Sequence, residues 1–274
     1  MAILNWIYVI TIILYSGSLI GYFIDFIQHN RKVNRVAFWL LSIVWVLQTV
    51  FFVFRMIEYN RLPILTPFEG LFFYAWILVS LSLVINWYFR VDFLVFFTNS
   101  VGFLMMALSL FTPTGDVPQQ LSDLLISELL VIHVTMVLLS YGAFTVAFAF
   151  SIMYVMQHQM LKRKLWGKRL LRLGSLSKLD RLAFVSTVVA FPLLLVGLIL
   201  GLVWASIKLP QMPWVDAKVL GSLGVLLIYG YYLYQRVVKQ IRGYSVALMN
   251  VAAFLIVLIN YFLSGNFSEF HLWY

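Results

Sequence analysis

Long apolar runs separated by short polar or charged breaks dominate the chain. Eight runs stand out: Ile3–Ile27, Ala37–Ile57, Phe68–Tyr88, Phe93–Phe111, Glu128–Gln157, Ala183–Ile207, Ala217–Arg236 and Ser245–Ser264. A hydrocarbon layer about 30 Å thick is crossed by about 20 apolar residues in a helix, and the runs match that length. They are continuous rather than alternating, and longer than the ~9–11 residues of a membrane strand, which excludes a transmembrane barrel. The fold class predicted is therefore all-α, a polytopic bundle of about eight transmembrane helices. The first run has no basic leader and exceeds the ~7–15 residues of a signal-peptide core, so it is expected to remain as helix one. No internal repeat is visible. A basic loop over residues 158–182 is the one natural boundary, setting five helices apart from three within what reads as a single transmembrane domain over 1–274.

Composition agrees. The chain is 63% hydrophobic and 11% charged, against roughly 45–50% and about 25% for soluble proteins. Charge then orients it. Fifteen of the 19 basic residues fall in alternate breaks: Arg31, Lys32 and Arg35; Arg90; Lys162, Arg163, Lys164, Lys168, Arg169, Arg172, Lys178 and Arg181; Arg236, Lys239 and Arg242. Arg55, Arg61, Lys208 and Lys218 fall in the others. The excess of Lys and Arg marks the cytoplasmic side, so both termini are expected outside and the location is a multi-pass cell (plasma) membrane protein. The net charge of +9 then reflects topology and attraction to anionic membrane lipid, at ~1 kcal/mol per basic residue. No nucleic acid is needed as a partner. The leucines interleaved with cations over Lys162–Arg181 are long enough for an amphipathic interfacial helix. Asp25 is expected to reach the cytoplasmic interface, and Arg55 and Glu58 to pair at one-turn spacing.

The chemistry available is narrow. There is no cysteine, hence no disulfide, thiol relay or thioether link to a cofactor. No glycine-rich phosphate loop, zinc-type cluster or nucleophile–base pairing is present, so an enzyme run by side chains alone is not expected. Of the four histidines, His133 and His271 fall on the outer side, and His29 and His158 on the other. Imidazole is the usual nitrogen ligand of haem iron, and two axial ligands must come from separate segments. His133 sits just inside helix five and His271 in an aromatic tail after helix eight. On their own the same residues read more readily as ordinary interfacial histidines that bond water or backbone. The outer cations, likewise, suit either haem propionates or anionic lipid.

Five motifs in order resemble the cytochrome c assembly superfamily, the haem-handling proteins of the CcsA, ResC and CcmC type. The stretch from Pro63 through Thr66-Pro67-Phe68-Glu69 to Trp76 resembles its signature before helix three. His133 to Tyr141 resembles the segment carrying the first external haem-ligand histidine. Phe191 to Trp204, with Gly197 and Gly201, resembles the helix leading into its tryptophan-rich loop. Asp216-Ala217-Lys218 matches that loop's ending, and Asn266 to His271 falls where the second external histidine lies. The resemblance implies a haem b held noncovalently at the outer face, with His133 and His271 as axial metal ligands. It also implies Trp204, Trp214, Asp216 and Trp273 as further cofactor-binding residues.

Departures from the family pattern narrow the role. The loop from Leu209 to Val219 keeps a single tryptophan, Trp214, and lacks the acid after Lys218; Gln235-Arg236 stands where the family has an intramembrane histidine before arginine. A second haem station, and with it haem export or delivery for cytochrome c maturation, is thereby in doubt. The shorter pattern is similar to a branch of the family encoded in haem-biosynthesis operons of Bacillus-type bacteria. That similarity implies a role in restraining haem synthesis through the level of glutamyl-tRNA reductase, a partner expected on the cytoplasmic side.

Overall fold

The computed structural model describes residues 2–89, 92–112, 127–165, 167–209 and 214–266. Among them the chain is helical, with no strand: α1 Ala2–Gln28, α2 Arg31–Tyr59, α3 Pro67–Phe89, α4 Asp92–Ser109, α5 Glu128–Lys162, α6 Lys168–Leu173, α7 Leu176–Lys208, α8 Ala217–Val237 and α9 Tyr244–Asn266. Seven of these helices are long and apolar enough to cross a membrane, and α4 is a shorter apolar helix. These eight apolar helices are those expected from the hydrophobic pattern, with ends that move for identifiable reasons.

Capping sets those ends. Asn30 accepts from the amides of Lys32 and Val33, so α2 starts six residues before the apolar run and includes the charged turn. Ser175 accepts from the amide of Lys178, which starts α7 well before Ala183. Before α3, Thr66 and Glu69 form a reciprocal cap. The Glu69 amide donates to Thr66 Oγ1 at 3.2 Å and the Thr66 amide donates to Glu69 Oε2 at 3.1 Å, with Pro67 at the first helical position, where its missing N–H costs nothing.

The expected interfacial helix over Lys162–Arg181 is broken into three. The end of α5 and the start of α7 take its flanks, and only α6 lies between. Gly167 precedes α6 in an extended conformation, and Gly174 follows it at φ 88°, a left-handed geometry that glycine alone adopts cheaply.

The helices form two compact units. One holds α1 to α4 with α6; the other holds α7, α8, α9 and most of α5. In the first, α1 buries a polar stripe at alternating spacings of three and four, made of Tyr8, Thr11, Tyr15, Ser18, Tyr22 and Asp25, while Trp6, Ile13, Ile20 and Ile27 are exposed. This inverts the amphipathicity of a water-soluble bundle, as expected where the surrounding solvent is apolar. The stripe is hydrogen-bonded to its neighbours. Tyr8 meets Ser109 at 2.6 Å, Tyr15 donates to Asn99 at 2.8 Å, and Ser18 donates to the Ala37 carbonyl at 2.8 Å.

Two ion pairs close this unit. Arg61 grips Glu69 through both guanidinium nitrogens, at 2.9 and 3.1 Å. Arg172 of α6 does the same to Asp25, at 2.8 and 2.7 Å, and Asn34 adds a third bond to that carboxylate at 2.8 Å. Asp25 is 1% exposed, so it does not reach the interface as expected; a guanidinium comes to it instead. Arg55 does not pair with Glu58. It donates to the Tyr59 hydroxyl at 2.8 Å and lies over the rings of Phe51, Tyr59 and Phe68, a packing that planar guanidinium favours.

The second unit relies more on backbone acceptors. Ser140 of α5 donates to the Ala190 carbonyl of α7 at 2.8 Å, two residues before Pro192. Asn250 of α9 donates to Ser151 of α5 at 2.9 Å.

Candidate functional site

At one end of the second unit, α5, α7 and α8 leave a cleft with a cavity volume of about 50 Å³. Its character comes from two glycines one turn apart on α7. A Cβ on Gly197 would stand 2.8 Å from Val137, and one on Gly201 only 2.6 Å from the His133 ring. Only glycine fits at either position, and the pair lets α5 settle against the α7 backbone. His133 and Val137, also one turn apart, occupy the space so made.

The imidazole is oriented by that contact. His133 Nδ1 lies 2.5 Å from the carbonyl oxygen of Gly197. A carbonyl only accepts, so Nδ1 carries the proton, and the lone pair of the neutral ring is on Nε2. Metal-ligating histidines are held in this way by a carbonyl behind the ring, which fixes the tautomer and the ring plane.

Beside the imidazole a few polar groups line an otherwise apolar cleft. Tyr141 and Ser222 line it, and each lies 3.2 Å from Asn260 Nδ2. Lys218 brings a cation to the same cleft. Its Nζ donates to the carbonyls of Asn260 and Tyr261 at 3.1 and 3.3 Å and lies 5.4 Å from the Tyr261 ring centre. Asp216 caps α8, accepting from the Lys218 amide at 2.8 Å, and so sets where the lysine emerges. A volume of 50 Å³ suits a few waters; a larger ligand would be held at the mouth.

Of the residues singled out from the sequence, His133 lines the cleft. Trp204 is buried on α7, 4% exposed, and Trp214 is 61% exposed ahead of α8; neither lines this cavity. Asp216 acts on the α8 terminus. His271 and Trp273 lie outside the described residues. Tyr141, Ser222 and the two glycines belong to the cleft without being candidates on sequence grounds. The one-turn glycine pair inside an apolar run is the signal that finds them, because it marks where two helices touch.

Helices of this length and composition, with a carbonyl-oriented imidazole and a lysine sharing one interhelical cleft, make the chain a multi-pass membrane protein with a potential ligand site at one end. The model of the family described as cytochrome C assembly protein matches residues 64–271. Protein HemX of Bacillus subtilis (strain 168) is 54% identical over 261 residues, covering 95% of each chain. Protein HemX of Brevibacillus brevis is 46% identical over 274 residues, the full length of both. The cytochrome c biogenesis protein CcsA of Mesostigma viride is 26% identical over 229 residues, covering 76% of this chain and 75% of that one. The chain belongs to the cytochrome c assembly protein family, in its HemX-type branch.

Proposed function

We propose that this protein holds haem b noncovalently at the outer face of the cell membrane, with His133 and His271 as axial ligands. The observation that supports the reading is the Gly197 carbonyl beside His133 Nδ1, which orients the ring and in a neutral imidazole makes Nε2 the nitrogen that would ligate. In this reading Lys218, in the same cleft, supplies a cation of the right sign for a propionate, and Trp204, Trp214 and Trp273 are the aromatic candidates that the family resemblance implies for the ring's surroundings. Bound haem would bring redox-active iron to this face. The chain's own residues hold the imidazole, fix its proton and place the counter-charge.

In this reading occupancy restrains haem synthesis by lowering the level of glutamyl-tRNA reductase, sensed on the side of the basic segment. Similarity to the HemX proteins over almost the whole chain supports it. A role in cytochrome c maturation is the second reading, favoured by the similarity to CcsA proteins named for that process. Gln235 counts against it. It occupies the family's intramembrane histidine position and donates to the Tyr231 hydroxyl, where an amide cannot serve as a haem ligand.

The purified protein is expected to show a Soret band that His133→Ala and His271→Ala each abolish. Equal haem content in wild type and both variants overturns the site. In cells, deletion is expected to raise glutamyl-tRNA reductase and leave c-type cytochromes normal; their loss would favour the second reading.

A further inference from the structure

The second unit carries another cleft, far from His133, and its chemistry is different. It opens where α7 begins and α8 ends, with a volume of about 710 Å³. From Arg181 to Gly201 is 20 residues along α7, roughly 30 Å at 1.5 Å per residue, the thickness of a hydrocarbon layer. The two clefts therefore lie at opposite ends of one helix.

The walls of this cleft are sorted by polarity. Asp180, Arg181, Phe184 and Val185 line it along one face of α7, at the one-turn spacing that puts them side by side. Arg236, at the end of α8, and Arg242, in the turn before α9, line it from across. Three arginines thus face one aspartate. Arg236 is committed: it pairs with Asp180, donates to the Ile241 carbonyl at 3.3 Å and lies 5.3 Å from the Phe184 ring centre. Arg181 and Arg242 are exposed at the rim and leave the cleft with a net positive charge. Below Arg181 on α7 the surface turns apolar at once, with Val185 46% and Val189 50% exposed at one-turn intervals.

We propose that this cleft is a binding site for an anionic phospholipid, the phosphate between Arg181 and Arg242 and an acyl chain along Val185 and Val189. Two guanidinium forks match a phosphodiester, and an apolar strip beginning one turn below them matches the chain attached to it. A free phosphate would use the arginines and have no use for the strip. A zwitterionic lipid would bring its own cation against them.

Purified full-length protein in detergent is titrated with phosphatidylglycerol or phosphatidylcholine and bound lipid is counted by native mass spectrometry. One phosphatidylglycerol per chain is expected at concentrations at least tenfold below those needed for phosphatidylcholine. Arg181→Gln with Arg242→Gln is expected to erase that preference, since both side chains are exposed and the Arg236–Asp180 pair stays intact. Lys162→Gln with Lys164→Gln, exposed cations outside the cleft, is expected to preserve it. Equal retention of the two lipids, full retention of phosphatidylglycerol in the arginine variant, or equal loss in the lysine variant would each overturn the proposal. Displacement of the lipid by inorganic phosphate would overturn it too, in favour of a free anion.

Discussion

The two units place polar groups inside apolar bundles by different means, and the difference tells where ligands can go. In the first unit side chains pair largely with side chains: Tyr8 and Tyr15 of α1 bond to Ser109 and Asn99 of α4, with Ser18 reaching the Ala37 carbonyl of α2, and ion pairs close Glu69 with Arg61 and Asp25 with Arg172. Among the described residues of this unit, a cavity beside Arg55 and Phe68 is about 10 Å³. In the second unit several side chains bond to helix carbonyls and small residues set the helix contacts, with larger clefts at the two ends of α7. Mutual satisfaction makes a frame.

The sharpest way to break that contrast is Asp25→Ala. It takes the carboxylate from the Arg172 guanidinium, and removing one partner of a buried pair costs about 3–5 kcal/mol. Thermal unfolding in detergent should show a large drop in midpoint, and replacing both residues by apolar ones should recover much of it. If Asp25→Ala unfolds like wild type, the first unit does not depend on this pair. A smaller loss is expected from Gly201→Ala, whose Cβ meets the His133 ring. Overpacking of this kind costs about 1–3 kcal/mol, but haem content should fall much further than stability, because the ring is pushed off its carbonyl. Equal falls in both would mean the glycine serves packing alone. The least effect belongs to Ser140→Ala, which removes one bond to a carbonyl. Interhelical bonds inside membranes average about 0.6 kcal/mol, so its unfolding midpoint should move little. A large change would mean the second unit is held as rigidly as the first.

How much of this was legible in the sequence varies from element to element. Spans were readable because about 20 apolar residues in a row have few alternatives. Helix ends were not, since Asn30 and Ser175 cap helices within charged stretches where hydropathy has already fallen. The partner of Asp25 was not readable either, lying 147 residues away. Burial without a partner is costly, so the aspartate itself was a clue; its guanidinium lay in a segment whose cations all looked alike. The tyrosine stripe was in plain view, Tyr8, Tyr15 and Tyr22 being seven apart, but a search for apolar faces passes over a helix whose buried face is polar. His133 was readable as a candidate from its place at the start of α5. What orients it was not, because a carbonyl belongs to every residue and leaves no mark in the composition.

The Arg172–Asp25 pair also has a consequence for how the protein is made. Synthesis runs from the N-terminus at about 5–20 residues per second. Asp25 is in place early, whereas Arg172 emerges 147 residues later, a gap of roughly 7–30 s at those rates. Through that interval α2 to α5 are made with the carboxylate of α1 still waiting for its guanidinium. The first unit is therefore completed by a segment translated after α5, when the chain returns to its own beginning.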